Sequence, residues 1–270
     1  LVALYDSGGV WNAVFSPNGT ALLCGSEDGS AVLRSLADQS ELARLQPADE
    51  AIRYVFFDPA GRPATADNKG RVQFYTVGGQ PDGPLLAVTA SDVNTWRDRF
   101  HFSADGARFV AVLADGGAQV YSLPEGNQIG PVQAPGHTLL RVRLAPDGNF
   151  LGVCGEFGAQ LLNVESAAPR LTVETSPVRL MAFSDDGATL ATVGLRDGLL
   201  RFRHGSSGAL LCDPVAIYSP YECRFRTGGK SVVIATPDRA TVLETSTGRP
   251  AGAAMLHASH VVNMDTDPSG

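Results

Sequence analysis

Lysine is almost missing from this chain. Of its 21 basic residues, all but Lys69 and Lys230 are arginine. Tryptophan occurs only at Trp11 and Trp96, and aromatic residues make up 7% of the total. No run of about 18 apolar residues is present, which excludes a helical membrane span. There are four cysteines, Cys24, Cys154, Cys212 and Cys223, spaced 130, 58 and 11 residues apart. No CxxC pair or zinc-type spacing can be drawn from them, so they read as small buried thiols in a reducing, cytoplasmic setting. Positive charge is also in deficit. With 28 acidic residues the net charge is −7, the opposite of the basic balance expected of a nucleic-acid partner. No HExxH, P-loop, GxSxG or GxGxxG motif appears, and no segment keeps a convincing helical period.

What is abundant is turn chemistry: 30 Gly and 17 Pro in 270 residues. Much of it belongs to one recurring phrase, an apolar residue followed by two or three small or polar ones and a glycine. It reads Phe15-Ser-Pro-Asn-Gly19, Phe57-Asp-Pro-Ala-Gly61, Phe102-Ser-Ala-Asp-Gly106, Leu144-Ala-Pro-Asp-Gly148 and Phe183-Ser-Asp-Asp-Gly187. Weaker copies are Phe225-Arg-Thr-Gly-Gly229 and Thr266-Asp-Pro-Ser-Gly270. The glycine-to-glycine steps are 42, 45, 42, 39, 42 and 41 residues. An even period of this length is the mark of a repeat architecture.

Within each period a short run precedes the turn and a second follows it, such as Thr189 to Val193. A second turn carries Asp28-Gly29, Asp115-Gly116 or Asp197-Gly198, and third and fourth runs complete the unit. Asp-Gly and Asn-Gly pairs form tight hairpins. Four short antiparallel strands fill the period, which is the arithmetic of a propeller blade. A single such sheet cannot bury both faces, whereas stacked blades can. The expected fold class is therefore all-β: a β-propeller of four-stranded antiparallel blades, seven expected, six complete and the seventh incomplete. Six-bladed closure is the alternative. Leu1 to Tyr5 aligns as a fourth strand and Thr266 to Gly270 as part of a seventh blade. Residues 1–270 are accordingly expected to be a single domain taken from a larger protein.

On these residues the chain resembles the WD-repeat β-propeller family along its whole length. The name-giving Trp at the end of the third strand is replaced throughout, by Arg34, Tyr75, Tyr121, Asn163, Arg203 and Glu244, and the opening Gly-His survives only as Gly136-His137. The resemblance implies a non-catalytic protein-interaction scaffold or sensing module. Degenerate, arginine-rich repeats look like those of bacterial signalling proteins, in which a propeller follows another domain such as a serine/threonine kinase.

In this family partners dock on the face carrying the loops into the first strands and between the second and third. The aligned position four residues before the turn phrase reads Trp11, Arg53, Asp98, Leu140, Arg179, Tyr221 and Val262. Trp, Tyr and Arg are enriched at interface hot spots. Trp11, Arg53, Asp98, Arg179 and Tyr221, with Arg196 in a neighbouring loop, are the candidate partner-binding residues. Lys69, Arg239, Trp96 and Arg97 lie nearby in sequence.

No catalytic residue, metal ligand or cofactor is assigned. His257-Ala-Ser-His260 would point to opposite faces of a strand. Asp265-Thr-Asp267 aligns with the turn phrase more simply than with a calcium loop, and Asn18-Gly-Thr20 reads as a hairpin turn. The expected partner is a protein, not nucleic acid or membrane, bound by a monomeric domain. The competing readings are a small-ligand or peptide receptor at the channel mouth and a propeller-type hydrolase or lyase.

Overall fold

The computed structural model describes residues 10–45, 52–88, 100–113, 116–133 and 138–256. Among them there is no helix. Strands β1 (Val10–Phe15), β2 (Ala21–Ser26), β3 (Ala31–Ser35) and β4 (Glu41–Leu45) form the first sheet in that order. The second comprises β5 (Ile52–Phe57), β6 (Pro63–Asp67), β7 (Arg71–Phe74) and β8 (Leu86–Ala87). The third comprises β9 (Phe100–Phe102), β10 (Arg108–Val112), β11 (Ala118–Ser122) and β12 (Gln128–Gln133). The fourth holds β13 (Leu139–Leu144), β14 (Phe150–Gly155), β15 (Gly158–Asn163) and β16 (Pro169–Glu174). The fifth holds β17 (Val178–Phe183), β18 (Thr189–Gly194), β19 (Leu199–His204) and β20 (Val215–Ala216). The sixth holds β21 (Glu222–Phe225), β22 (Ser231–Thr236), β23 (Arg239–Glu244) and β24 (Met255–Leu256). Each sheet is an up-and-down antiparallel meander, the order of a propeller blade. The seventh turn phrase lies outside the described residues, as do Leu1 to Tyr5, Asp98, Asp115, Gly136-His137, the His257/His260 pair and Asp265/Asp267.

The chain divides into two compact units, Leu1–Asp115 with Gln119–Ile129, and Gly116–Ala118 with Gly130–Gly270. Both use the same local devices. The turn phrase closes each first hairpin: Gly19 donates its amide to the Ser16 carbonyl at 2.9 Å, and Gly106 to Ser103 at 3.0 Å. The phrase-ending glycines sit at φ between +66° and +86°, and only before Gly229 is the preceding residue, Gly228, also at positive φ. This is a tight turn with a left-handed glycine, a conformation that Gly adopts without the strain a Cβ brings. The polar residues brace it. Asp105 accepts the Ser103 hydroxyl at 2.6 Å and the Ala107 amide at 2.9 Å, and the Ser103 hydroxyl foremost holds its carboxyl below the usual carboxylate range.

A second device joins third and fourth strands. The amides of Gln39, Gly126, Ala167, Gly208 and Gly248 bond to the carbonyls of Ser35, Ser122, Asn163, His204 and Glu244, four residues back. All five donors are left-handed, though only three are glycine.

Burial rises and falls across each sheet. The second strands are covered on both faces, as in β18, where Leu190 to Gly194 are all buried, while fourth strands such as β16 are mostly exposed. Second strands therefore read as continuous apolar runs and not as alternation. The two units cohere differently. In the first, Phe56, Phe74, Phe100, Phe102 and Phe109 form one aromatic cluster, with ring centroids 5.2 Å apart for Phe102 and Phe109 and 5.7 Å for Phe74 and Phe109. Such pairs add roughly 0.5–1.5 kcal/mol beyond area burial.

In the second unit a polar cluster joins the fourth and fifth sheets. Glu174, at the end of β16, meets Arg201 at 3.0 Å and Arg203 at 3.7 Å, and accepts the Thr192 hydroxyl at 3.1 Å. The side chains of Glu174, Arg201 and Arg203 are 8%, 14% and 14% exposed. Arg203, one of the residues in the missing tryptophan's place, also donates to the Gly208 carbonyl at 2.9 Å.

Candidate functional site

The first strands share an irregularity that fixes where their side chains go. Val10 pairs with Ser26 and Asn12 with Gly25, so residue 11 is an extra residue in the ladder. The same slip leaves out Arg53 in β5, Leu140 in β13 and Arg179 in β17. These are β-bulges, which re-aim a side chain and recur beside functional sites. Four of the positions aligned in the sequence four residues ahead of the turn phrase thus share a backbone feature. The side chains of Trp11 and Arg53 lie outside the described residues. Leu140 is exposed.

Arg179 opens onto a groove of about 280 Å³ between the loop after β18 and the loop after β20. Arg196, Asp197, Ile217, Tyr218, Ser219 and Pro220 complete most of its lining. Local chemistry sets both walls. Leu195 donates to the Pro177 carbonyl at 2.8 Å, tying the loop after β18 to the start of β17. Asp197 accepts the Leu199 amide at 3.0 Å and Arg201 Nη2 at 2.6 Å, and that guanidinium foremost lowers its pKa. A Cβ on Gly194 would collide with the Asp197 carboxylate and push it from its place beside Arg201. On the other wall the Ile217 amide bonds to the Gly198 carbonyl at 2.9 Å. Ser219 then takes φ +47°, a strained value for a side-chain-bearing residue that costs on the order of 1 kcal/mol or more. Tyr218 is left 88% exposed.

The charges around the groove are unequally committed. Arg196 pairs with Glu156 at 3.2 Å, both strongly exposed at 77% and 62%, a contact worth about 0–1 kcal/mol. Asp197 is held by Arg201. Arg179 is half-buried and makes no ion pair or hydrogen bond among the described residues.

A second cluster lies on the first strands of the same unit. Arg141 on β13 reaches past β17 to the start of β21, where Nη1 meets Glu222 at 3.2 Å and Nη2 donates to the Tyr221 carbonyl at 3.0 Å. A contact that skips the intervening sheet requires the three first strands to converge on one inner side. Burial alone would raise the pKa of Glu222, but Arg141, Arg224 and Arg143 outweigh it and hold it below the ordinary value of 4.5. No such inner cluster was expected from the sequence. Its signal there is the Arg-Val-Arg alternation at 141–143, which on a strand puts both guanidiniums on one face.

Of the residues nominated in the sequence, Arg179 and Arg196 come together on the groove. Tyr221 stands beside it with its polar groups spent. Its hydroxyl donates to the Thr236 carbonyl at 3.0 Å, its amide to Ala235 at 3.1 Å, and its carbonyl accepts Arg141. Asp98 is outside the described residues. Tyr218 was missed: it lies in a loop after a two-residue strand, where no repeat alignment marks it. Asp28 and Asp197, read as turn formers, bond to the backbone amides two residues on. Among the described residues no group of three or more His, Cys, Asp or Glu side chains could hold a metal ion, and no helix is long and apolar enough to cross a membrane.

Six meandering sheets, turn-phrase hairpins and bulged first strands define a repeat protein of the β-propeller class. The solved structure of the computationally designed Ika8 protein matches it with a TM-score of 0.71 at 16% identity, over 93% of this chain and 76% of that chain. A family model, the WD domain, G-beta repeat, matches residues 3–34, one repeat, and supports placing the chain with the WD-repeat proteins. No curated protein matches the chain. WD repeats on this fold belong in general to protein-interaction scaffolds, which are typically non-catalytic.

Proposed function

We propose that the chain is a protein-interaction module whose second unit docks a partner on the face bearing the Arg179 groove. One observation carries this reading: half-buried Arg179, on a β-bulge, makes no ion pair or hydrogen bond among the described residues while its neighbours Arg196 and Asp197 do. Its N–H donors are free to pair with acceptors that a docking partner brings. The exposed ring of Tyr218 adds a rigid aromatic contact of the kind that dominates interfaces. Trp11 and Arg53 share the bulge position in the first unit and belong to the same proposal, with Asp98 and Tyr221 at the aligned positions.

Within this reading the chain is one propeller domain of a bacterial signalling protein, monomeric and cytoplasmic; the near-exclusive use of arginine supports the bacterial assignment alone. Capture from a bacterial lysate with the wild-type chain, beside an Arg179→Ala/Tyr218→Ala variant, tests it. A specific protein retained by the first and lost from the second is the expected outcome. Equal capture by both would remove this face from consideration. The inner Arg141, Arg143, Glu222 and Arg224 cluster favours the second reading, a peptide or small-ligand receptor at the channel mouth. Loss of capture in Arg224→Ala with Arg179→Ala unaffected would select it.

A further inference from the structure

We infer that the Arg179 groove is a carboxylate-recognition site, taking the Asp or Glu side chain of an extended segment of a partner protein, with Tyr218 covering the neighbouring residue. The inference rests on the docking reading above and names what the groove accepts.

Charge decides the ligand class. A guanidinium offers five N–H donors in a planar fork that matches a carboxylate bidentately. At Arg179 none of them is used among the described residues, so the whole fork is open to a ligand. Of the other charges lining the groove, Asp197 is matched by Arg201 at 2.6 Å, and Arg196 points to Glu156 in an exposed, weak pair. One positive charge is therefore uncommitted. A carboxylate brings one negative charge and balances it. A phosphate monoester brings about −1.5 to −2 and would meet Asp197 across the groove with too little positive charge to hold it.

Size and rigidity agree. The groove of about 280 Å³ falls just below the roughly 300–1,000 Å³ of small-molecule sites, and it is open. It has room for one or two side chains of a longer segment and not for a whole organic ligand. Arg179 sits on a strand whose register is pinned on both sides of the bulge, by the Val178–Gly194 and Leu180–Val193 pairs, so its direction is set before a ligand arrives. The opposite wall carries the strained Ser219 and the exposed Tyr218. The net charge of −7 gives no long-range attraction to an acidic partner, so recognition depends on contacts inside the groove and is weak for an isolated residue.

The test follows the side-chain Nε–Hε resonance of Arg179 in nitrogen-15-labelled protein. The probes are three blocked dipeptides, N-acetyl-Tyr-Glu-amide, N-acetyl-Tyr-Gln-amide and N-acetyl-Tyr-phosphoserine-amide. Saturable movement with the Glu peptide is expected, with affinity at least about 10-fold weaker for the Gln and phosphoserine peptides. Arg179→Gln should abolish the difference between Glu and Gln. Should that variant fail to fold, the comparison among the three peptides on the wild type decides alone. Equal binding of the Glu and Gln peptides, or no movement with the Glu peptide, overturns the inference. Tighter binding of the phosphoserine peptide overturns the choice of carboxylate. Partner capture that survives Arg179→Gln but not Tyr218→Ala would keep the docking reading while refuting this one.

Discussion

Glu174→Ala is the substitution from which the second unit should suffer most. The carboxylate is 8% exposed and faces two guanidiniums that are each 14% exposed. At 3.0 Å, with an effective dielectric of about 20, one such pair attracts by about 5 kcal/mol before desolvation is charged against it. The net worth of the cluster is far smaller, but breaking it leaves Arg201 and Arg203 buried without their carboxylate, which costs about 3–5 kcal/mol. The low end applies here. Arg201 keeps Asp197 at 2.6 Å, and Arg203 keeps the Gly208 carbonyl at 2.9 Å. A loss near 3 kcal/mol corresponds to a thermal midpoint lower by about 6–12 °C at this chain length. The control is Glu174→Leu combined with Arg201→Leu and Arg203→Leu, which removes the three buried charges, leaves only the more exposed Asp197 without its arginine, and should recover most of the loss. Calorimetry at neutral pH reads both. The reasoning fails if Glu174→Ala shifts the midpoint by less than about 2 °C, or if the triple variant is less stable than the single one.

Three further outcomes follow from the same structure. Folding lowers the pKa of Glu222 from its ordinary 4.5, so its contribution to stability is complete above that pH and disappears as pH falls below it. Glu222→Gln should flatten the acid limb of a midpoint-against-pH curve, and an unchanged limb would show that other carboxylates govern it. Gln39 and Ala167 hold a left-handed conformation that their counterparts Gly126, Gly208 and Gly248 adopt freely. Changing either to Gly should stabilise by up to about 1 kcal/mol in urea titration, whereas Gly126→Ala should destabilise, since its Cβ would collide with Pro84. Burial pushes the Cys223 thiol up to about 12, and Cys24 and Cys154 are buried as well. A disulfide-exchange reagent should therefore modify only half-buried Cys212 among the four in the native protein, a pattern read by mass spectrometry; early labelling of Cys223 would contradict its packing.

Much of the fold was legible because its cause is local. The turn phrase specifies a left-handed glycine and a polar brace within five residues, and such a signal survives even when the family tryptophan is lost. Its spacing implied four strands per period, and six such sheets are present among the described residues. The position holding Arg179 could be aligned for the same reason. That this position is a bulge could not be read, because a register slip depends on the partner strand. Nor could Tyr218, which a short irregular loop places.

By itself, then, the sequence determined the period, the hairpins and the all-β class, since each rests on contacts within a few residues. Tertiary structure decided everything built from residues far apart in the chain. Arg141 finds Glu222 81 positions away, Arg203 fills a tryptophan's place by pairing with Glu174, and Arg196 is neutralised by Glu156. Only with those pairings known does Arg179 emerge as the groove's uncommitted charge among the described residues. A guanidinium's availability is a property of its neighbours, and the neighbours are assembled by the stacking of sheets.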